Sequence, residues 1–274
     1  MDEIRAFALA SGSSGNATLV QANGTNLLID AGLSARTLAG WLKRHGVESG
    51  NLHGILLTHE HQDHATGASV LARRMNAPVF ASQGTLSALA ERASSSFSSH
   101  VLPPNTELAL GNMVARAFPI PHDATEPTGF VIQAGSHKIF YATDIGCVTE
   151  AVRDAMQGAN LVILEANHDL DWLWRGSYTR EMKARVSSST GHLSNADCAE
   201  ALAEKIERDG PCSVWLAHLS QANNAPSLAR RTVQKQIQER TRVPFFLDIA
   251  LRDSPSAVWK AGAQAFQLGQ GERI

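Results

Sequence analysis

The sequence predicts an α/β protein in which two β-sheets pack face to face with helices on their outer sides. Three observations carry this prediction. Short apolar runs bounded by turn residues recur along the chain, the mark of strands. Each half is strand-rich at first and then alternates helix with strand, so the two halves resemble each other. Metal-ligand residue types stand just past the ends of several apolar runs, where a strand delivers a loop to the edge of a sheet. Two sheets stacked face to face, with helices outside, bury both sets of apolar strands.

Composition narrows the function classes. The 274 residues suffice for a large core and are read as one domain, 1–274. A formal net charge of −2 gives no general attraction to nucleic acid or anionic membranes, so any nucleic-acid contact needs a local basic patch. Cys147, Cys198 and Cys212 lie far apart, form no C-x-x-C pair and fit core positions in a reducing compartment. No apolar stretch approaches the roughly 18 residues of a membrane span, and Met1–Arg5 is polar rather than signal-like. A cytoplasmic protein without a membrane partner is expected; nothing sets its oligomeric state, and a homodimer is compatible with it.

The elements follow in order. Ile4–Leu9 reads as a first strand and runs into the small polar turn Ala10–Asn16. Ala17–Gln21 and Asn26–Asp30 form a hairpin around Asn23-Gly24, a strong turn pair. Ser34–His45 has helical spacing, with Leu38, Trp41 and Leu42 on one face. Ile55–Leu57 is a buried strand. Helices are expected at Thr66–Met75 and Thr85–Arg92, with a strand at Pro78–Ala81 between them and an exposed serine loop at 94–99. Strands follow at Leu108–Leu110, Met113–Phe118, Phe130–Gln133 and Lys138–Ala142. Then come a helix at Thr149–Met156, a strand at Leu161–Leu164 and a long polar stretch. Helices Asn195–Arg208 and Pro226–Arg240 alternate with strands Ser213–Leu216 and Pro244–Leu247, and Ala257–Lys260 and Ala265–Leu268 end the chain.

The chemistry concentrates in Thr58-His59-Glu60-His61-Gln62-Asp63-His64. Imidazole and carboxylate in this density suit zinc, manganese or iron. Four ligands are too few for two metals, so others must come from further strand ends. The candidates are His122, on a loop stiffened by Pro119 and Pro121, Asp144, directly after an apolar strand, and His218, at the end of Val214–Leu216. A helix cap is the competing reading for Asp144, but it stands too far ahead of Thr149. Asp30 is balanced between supporting the metal loop and capping the next helix. Glu165 and His192 suit a proton-transferring pair. The segment from Asp171 to Arg185 holds Trp172, Trp174, Arg175, Tyr178, Arg180, Lys183 and Arg185, which suits phosphates and stacked bases. The competing reading there is a solvated helix face with its aromatics packed inward. His168, two residues past a strand end, is ambiguous.

The string from Thr58 to His64 resembles the signature of the metallo-β-lactamase superfamily. Ser11-Gly12-Ser13-Ser14-Gly15-Asn16, His122-Asp123-Ala124 with Pro127 and Gly129-Phe130, Thr143-Asp144-Ile145-Gly146, Glu165–Asp169, Gly191–Asn195, and Leu216–Ser220 with Asn223-Asn224 resemble its YycJ/WalJ (VicX) type of metallo-hydrolase. That group is similar to ribonuclease Z and to small phosphodiesterases. The resemblance implies a four-layer αββα sandwich and two divalent metal ions. His59, His61 and His122 would hold one, Asp63, His64 and His218 the other, with Asp144 bridging. It further implies His192 as the proton donor, oriented by Glu165; Asp63 is also counted as catalytic. Ser13, Asn16, Arg180, Lys183 and Asn223 are expected to touch substrate. There is no room for the inserted domain of the β-CASP nucleases, nor a glycine- and proline-rich arm for gripping tRNA. The expected activity is hydrolysis of a phosphodiester, in DNA, RNA or a small molecule, by a metal-bound hydroxide. An exonuclease fits this class. The alternative is a small ester, lactone, thioester or cyclic phosphate as substrate. A regulatory metal-binding protein without activity would require lost ligands, and all seven are present.

Overall fold

In the structure, a computed structural model that describes residues 3–262, the first half opens with three antiparallel strands, β1 (Ile4–Ala10), β2 (Ala17–Ala22) and β3 (Thr25–Ile29). Helix α1 (Ala35–Arg44) then returns the chain to a parallel strand, β4 (Gly54–Leu56). The short α2 (Gln62–Ala65) and α3 (Ala68–Met75) lead to β5 (Val79–Ala81), and α4 (Gln83–Arg92) to β6 (Ser99–Val101), both parallel. The second half repeats the plan. β7 (Glu107–Leu110), β8 (Met113–Pro119), β9 (Thr128–Ala134) and β10 (His137–Ala142) are antiparallel neighbours. Helix α5 (Glu150–Met156) precedes β11 (Leu161–Glu165). Helices α6 (Leu170–Arg175), α7 (Arg180–Val186) and α8 (Asn195–Asp209) precede β12 (Ser213–Ala217), and α9 (Pro226–Arg240) precedes β13 (Phe246–Ile249). These three strands run parallel to β10. β14 (Val258–Lys260) crosses back to pair with β1.

Two mixed seven-stranded sheets result, in the orders β14-β1-β2-β3-β4-β5-β6 and β13-β12-β11-β10-β9-β8-β7. Their facing sides share one core, in which Val20 and Leu27 meet Phe130, Ile132, Tyr141 and Trp215. The outer side of the first sheet packs on α1, α3 and α4 through Leu28, Ile55, Leu38, Leu71 and Leu86. The outer side of the second packs on α5, α8 and α9 through Val162, Leu164, Val152, Leu202 and Val233. On β11, Ile163 enters the central core while Val162 and Leu164 enter the outer one. A strand covered on both faces must be apolar at every position, which is why these runs do not alternate. This is the αββα sandwich the sequence predicts.

Helix starts are set by side-chain caps. Ser34, Ser82, Thr149 and Ser194 accept from the amides of Thr37, Thr85, Val152 and Asp197 at 3.1–3.3 Å. Ser34, not Asp30, therefore caps α1. The expected exposed serine loop runs at Ser99 into β6, a short exposed edge strand absent from the sequence reading. The long polar stretch contains α6 and α7, capped by Asp169 and Thr179. Each is too short to show an apolar stripe. The expected strand Ala265–Leu268 lies outside the described residues.

Candidate metal centre

The C-terminal ends of β3, β4, β10, β11 and β12 converge on one edge of the sandwich. They deliver Asp30, Thr58-His59, Asp144, Glu165 and His218. Asp30 and Asp144 follow β3 and β10, the last antiparallel strand of each half before the parallel ones begin. Asp30, Asp144 and His218 all have left-handed backbones, with φ of 61°, 56° and 52°. Such residues cost about 1–3 kcal/mol each and persist where the surroundings over-determine them. Here the strand stops abruptly so that its last side chain turns into the site. Two glycines allow the loops to close over it. A Cβ on Gly32 would lie 1.7 Å from the Asp63 carbonyl oxygen, and one on Gly146 2.2 Å from the Ser189 backbone.

Four overlapping groups of side chains meet there, each with ligand-type atoms within 4.8 Å of one another. The first is His59, His61 and His122. The second is Asp63, His64 and His218. The third is Asp144, Glu165, His192 and His218, and the fourth is His59, His64 and Asp144. Asp144 lies between the first two. Its Oδ2 is 2.8 Å from His64 Nε2, and its Oδ1 is 3.3 Å from His218 Nδ1 and 3.9 Å from His122 Nε2. Asp63 Oδ2 is 3.3 Å from His218 Nε2 and 3.7 Å from His64 Nε2. All seven sequence-predicted ligand residues thus stand in one cluster. Glu165 and His192, separate in sequence, meet at 2.9 Å through Oε1 and Nδ1.

The surrounding hydrogen bonds fix these rings. Asp30 Oδ2 faces His64 Nδ1 at 2.8 Å, and Oδ1 accepts from the Thr58 amide and hydroxyl at 2.9 and 3.0 Å. Tyr141 donates its hydroxyl to Asp30 Oδ2. Asp30 therefore supports the histidine loop, which settles the balance left by the sequence. Glu165 faces His218 Nδ1 as well as His192, at 2.9 Å each through Oε1. Its Oε2 accepts from the Ile145 and Leu193 amides. One carboxylate thus orients two rings. His122 Nδ1 faces the Gly191 carbonyl at 3.2 Å, and Asn167 donates to the His218 carbonyl at 2.9 Å. Thr58, Tyr141 and Asn167 carry no metal-ligand chemistry, and no spacing signal in the sequence marks them.

Two of the expected substrate contacts lie in the interior. Asn16 is fully buried. Its amide nitrogen is spent on the Gly12 and Asp63 carbonyls and on His64 Nε2, and its oxygen accepts from the Gly12 amide. Asn223 is buried too, where its carbonyl accepts from the Asp169 amide and its side chain donates to Ser220. Both shape loops and neither reaches solvent. Ser13 is exposed on the Ser11–Asn16 turn, and Arg180 is exposed on α7. Lys183 braces α7 against α6 by donating to the Trp174 carbonyl at 2.9 Å. His168 is buried, with both ring nitrogens lacking a partner, and burial lowers its pKa.

The electrostatics describe a site rich in buried negative charge. Burial opposes the ionised form of Asp144, but His218 and His64 outweigh it and hold its pKa well below the ordinary range. The same contest brings Glu165 down to about 2, with His192 and His218 as partners. Burial likewise opposes protonation of His218, yet Asp144, Asp63 and Glu165 push it up to about 10. His64 is raised against burial by Asp144 and Asp30, and His192 by Glu165. His59 goes the other way, lowered by burial and by His64. Its Nε2 is buried with no hydrogen-bond partner. Among the described residues, no Lys or Arg pairs with Asp30, Asp63, Asp144 or Glu165. A cluster of imidazoles and carboxylates with an orphaned ring nitrogen and no fixed cation is compatible with divalent metal.

A model of the beta-lactamase superfamily domain matches residues 25–218. The chain is 35% identical over 234 residues to the exodeoxyribonuclease YycJ of Bacillus anthracis, covering 85% of this chain and 88% of that protein. It is 33% identical over 235 residues to the exodeoxyribonuclease WalJ of Streptococcus pneumoniae, covering 84% and 87%. The metallo-beta-lactamase fold protein YhfI of Bacillus subtilis superposes with a TM-score of 0.71 at 15% identity, over 94% of this chain and 100% of that one.

Proposed function

The chain belongs to the β-lactamase superfamily and is a hydrolase of its metallo-β-lactamase fold, and on that premise we propose a metal-dependent exonuclease that hydrolyses phosphodiester bonds in DNA. The observation that carries the reading is the Glu165–His192 pair at 2.9 Å, set 3.4 Å from Asp144 at the edge of the ligand cluster. That is where a leaving alkoxide needs a proton. The names of the two bacterial relatives support DNA as the substrate class.

Two divalent ions, zinc, manganese or iron, fit the donor set. His59, His61 and His122 would hold one, Asp63, His64 and His218 the other, and Asp144 would be shared. The orphaned Nε2 of His59 and the uncompensated carboxylates support this assignment. When bound, the ions supply a nucleophile at neutral pH and neutralise charge on the phosphoryl oxygens.

The chain's own groups do the rest. His192 donates Nδ1–H to Glu165, which fixes the ring and leaves Nε2 for the alkoxide. The carboxylate favours the imidazolium, because it raises the histidine pKa against burial. His192 is about one-quarter exposed, whereas Glu165 is fully buried, so only the histidine can reach substrate. Glu165 also fixes His218, and Asp30 fixes His64, so that each ring presents Nε2 to the cluster. Asp63 faces both rings from the partly exposed side. We read residues 1–274 as one hydrolase domain acting in the cytoplasm. The cysteines Cys147, Cys198 and Cys212 are free, and no helix among the described residues is long and apolar enough to cross a membrane.

The test is digestion of end-labelled single- and double-stranded DNA and RNA with added Mn²⁺ or Zn²⁺, beside bis(p-nitrophenyl) phosphate and a lactone panel. Release of nucleotides from DNA ends is expected. Turnover of lactones with none of the phosphodiesters would overturn the reading.

A further inference from the structure

Between Glu165 and His192 the chain leaves the sandwich and forms the α6–α7 lobe. Among the described residues eight large apolar side chains stand exposed, and four of them, Leu170, Trp172, Trp174 and Met182, belong to this lobe. Trp172 and Trp174 are 46% and 48% exposed, while Leu173 between them is buried. The helices the competing reading foresaw are present, but these two indoles are not packed inward. Large apolar side chains gathered at one place mark a contact surface.

The charge of the lobe is opposite to that of the chain. Residues 170–186 hold four cations, Arg175, Arg180, Lys183 and Arg185, and two carboxylates, Asp171 and Glu181, a balance of +2 where the whole chain carries −2. A two-fold contact between copies would set this positive surface against itself, which disfavours a second copy as the occupant. Cations interleaved with exposed indoles fit a phosphate backbone with accessible bases.

The lobe is also rooted in the site. The His192 amide donates to the Val186 carbonyl at 2.8 Å, and a Cβ on Gly191 would strike the Arg185 carbonyl, so the end of α7 sits directly on the proton donor's loop. Arg185 pairs with Asp123 at 2.6 Å, and Asp123 Oδ1 is 3.3 Å from His122 Nε2. The Arg185 side chain is 60% exposed, and so open a pair is worth little, leaving the guanidinium available to a phosphate.

We propose that the α6–α7 lobe holds the strand being hydrolysed as unpaired DNA, its bases stacked on Trp172 and Trp174 and its phosphates led by Arg180 and Arg185 toward His192. The proposal rests on the phosphodiesterase reading above. It implies that a duplex end is opened before it enters the site.

The test compares binding of phosphorothioate-linked oligothymidylate with that of an abasic strand of equal length and charge, on the metal-loaded protein, by fluorescence anisotropy. The wild type is expected to prefer the strand with bases by roughly tenfold, the scale of one stacked base. The double variant Trp172→Ala/Trp174→Ala should lose that preference, and Trp172→Phe/Trp174→Phe should keep most of it. Equal binding of both strands by the wild type, or an undiminished preference in the alanine variant, overturns the proposal. So does a wild type that sediments as a dimer and an alanine variant that sediments as a monomer with its DNA binding intact. Digestion of end-labelled DNA by the same wild-type sample separates the two levels. Hydrolysis without base preference defeats the lobe alone, whereas no hydrolysis of any phosphodiester defeats the reading beneath it as well.

Discussion

Replacing Glu165 by glutamine preserves volume and removes one acceptor. The wild-type carboxylate is fully buried and takes four contacts: His192 and His218 at 2.9 Å each through Oε1, and the Ile145 and Leu193 amides at 2.8 and 3.2 Å through Oε2. A glutamine offers one oxygen and one NH₂ group. Turned one way, its NH₂ meets two backbone N–H groups. Turned the other, it forces both rings into the tautomer with the proton on Nε2, the atom His218 presents to Asp63. Burial pushes the Glu165 pKa up, but His192 and His218 bring it down from the ordinary 4.5 to about 2. A depressed carboxylate contributes stability that is fully present above its unfolded pKa and is lost as pH falls through the folded one. The window is therefore pH 4.5 to about 2, and the contribution is about 3 kcal/mol at roughly 1.36 kcal/mol per pKa unit. On a chain of this size that lowers the melting temperature by about 6–12 °C. The assay is urea and thermal unfolding of chelator-treated wild type and Glu165→Gln at pH 7 and at pH 3. The stability gap should be widest at pH 7 and narrow as the pH drops into the window. A gap absent at pH 7, or equal at both pH values, would refute the reasoning.

Four further outcomes are expected. His192→Ala should lower turnover of DNA by about 10²–10⁴-fold with metal content unchanged by elemental analysis; wild-type turnover would remove His192 as the acid. Asp144→Ala should lose bound metal, since its carboxylate faces both ligand groups, and full occupancy would rule out the shared position. Asn16→Ala should destabilise by about 1–3 kcal/mol for each buried partner it orphans while the KM for DNA holds steady; a raised KM at unchanged stability would return Asn16 to the substrate. Arg180→Ala should reduce the slope of log K against log salt for DNA binding by about 0.7–0.9, and an identical slope would place Arg180 outside the phosphate path.

The strand ends were legible because their signals are local. Asp144 stands directly after Phe140–Ala142 and His218 after Val214–Leu216, and an apolar run that ends in a ligand type needs no distant partner to be recognised. Asp30 was not legible in the same way. Its two readings, helix cap and loop support, differ only in which neighbour it meets, and Ser34 and His64 decide that in space. Asn16 and Asn223 look like substrate contacts in a polar string, yet close packing turns both inward. The segment from Asp171 to Arg185 stood out by its cations and aromatics, but the bounds of α6 and α7 were not legible, because helices of six and seven residues bury too few side chains to leave a periodic trace.

By itself, then, the sequence determined the candidate ligand inventory, the two-sheet layering and the positions of the strands that carry the cluster. Each depends on runs of adjacent residues. Only the tertiary structure decided which ligands stand together, that Glu165 serves His192 and His218 at once, and that Trp172 and Trp174 face solvent. The Glu165–His218 contact spans 53 residues and the Asp30–His64 contact 34. Such pairings arise from how two sheets align their strand ends, which no local pattern encodes.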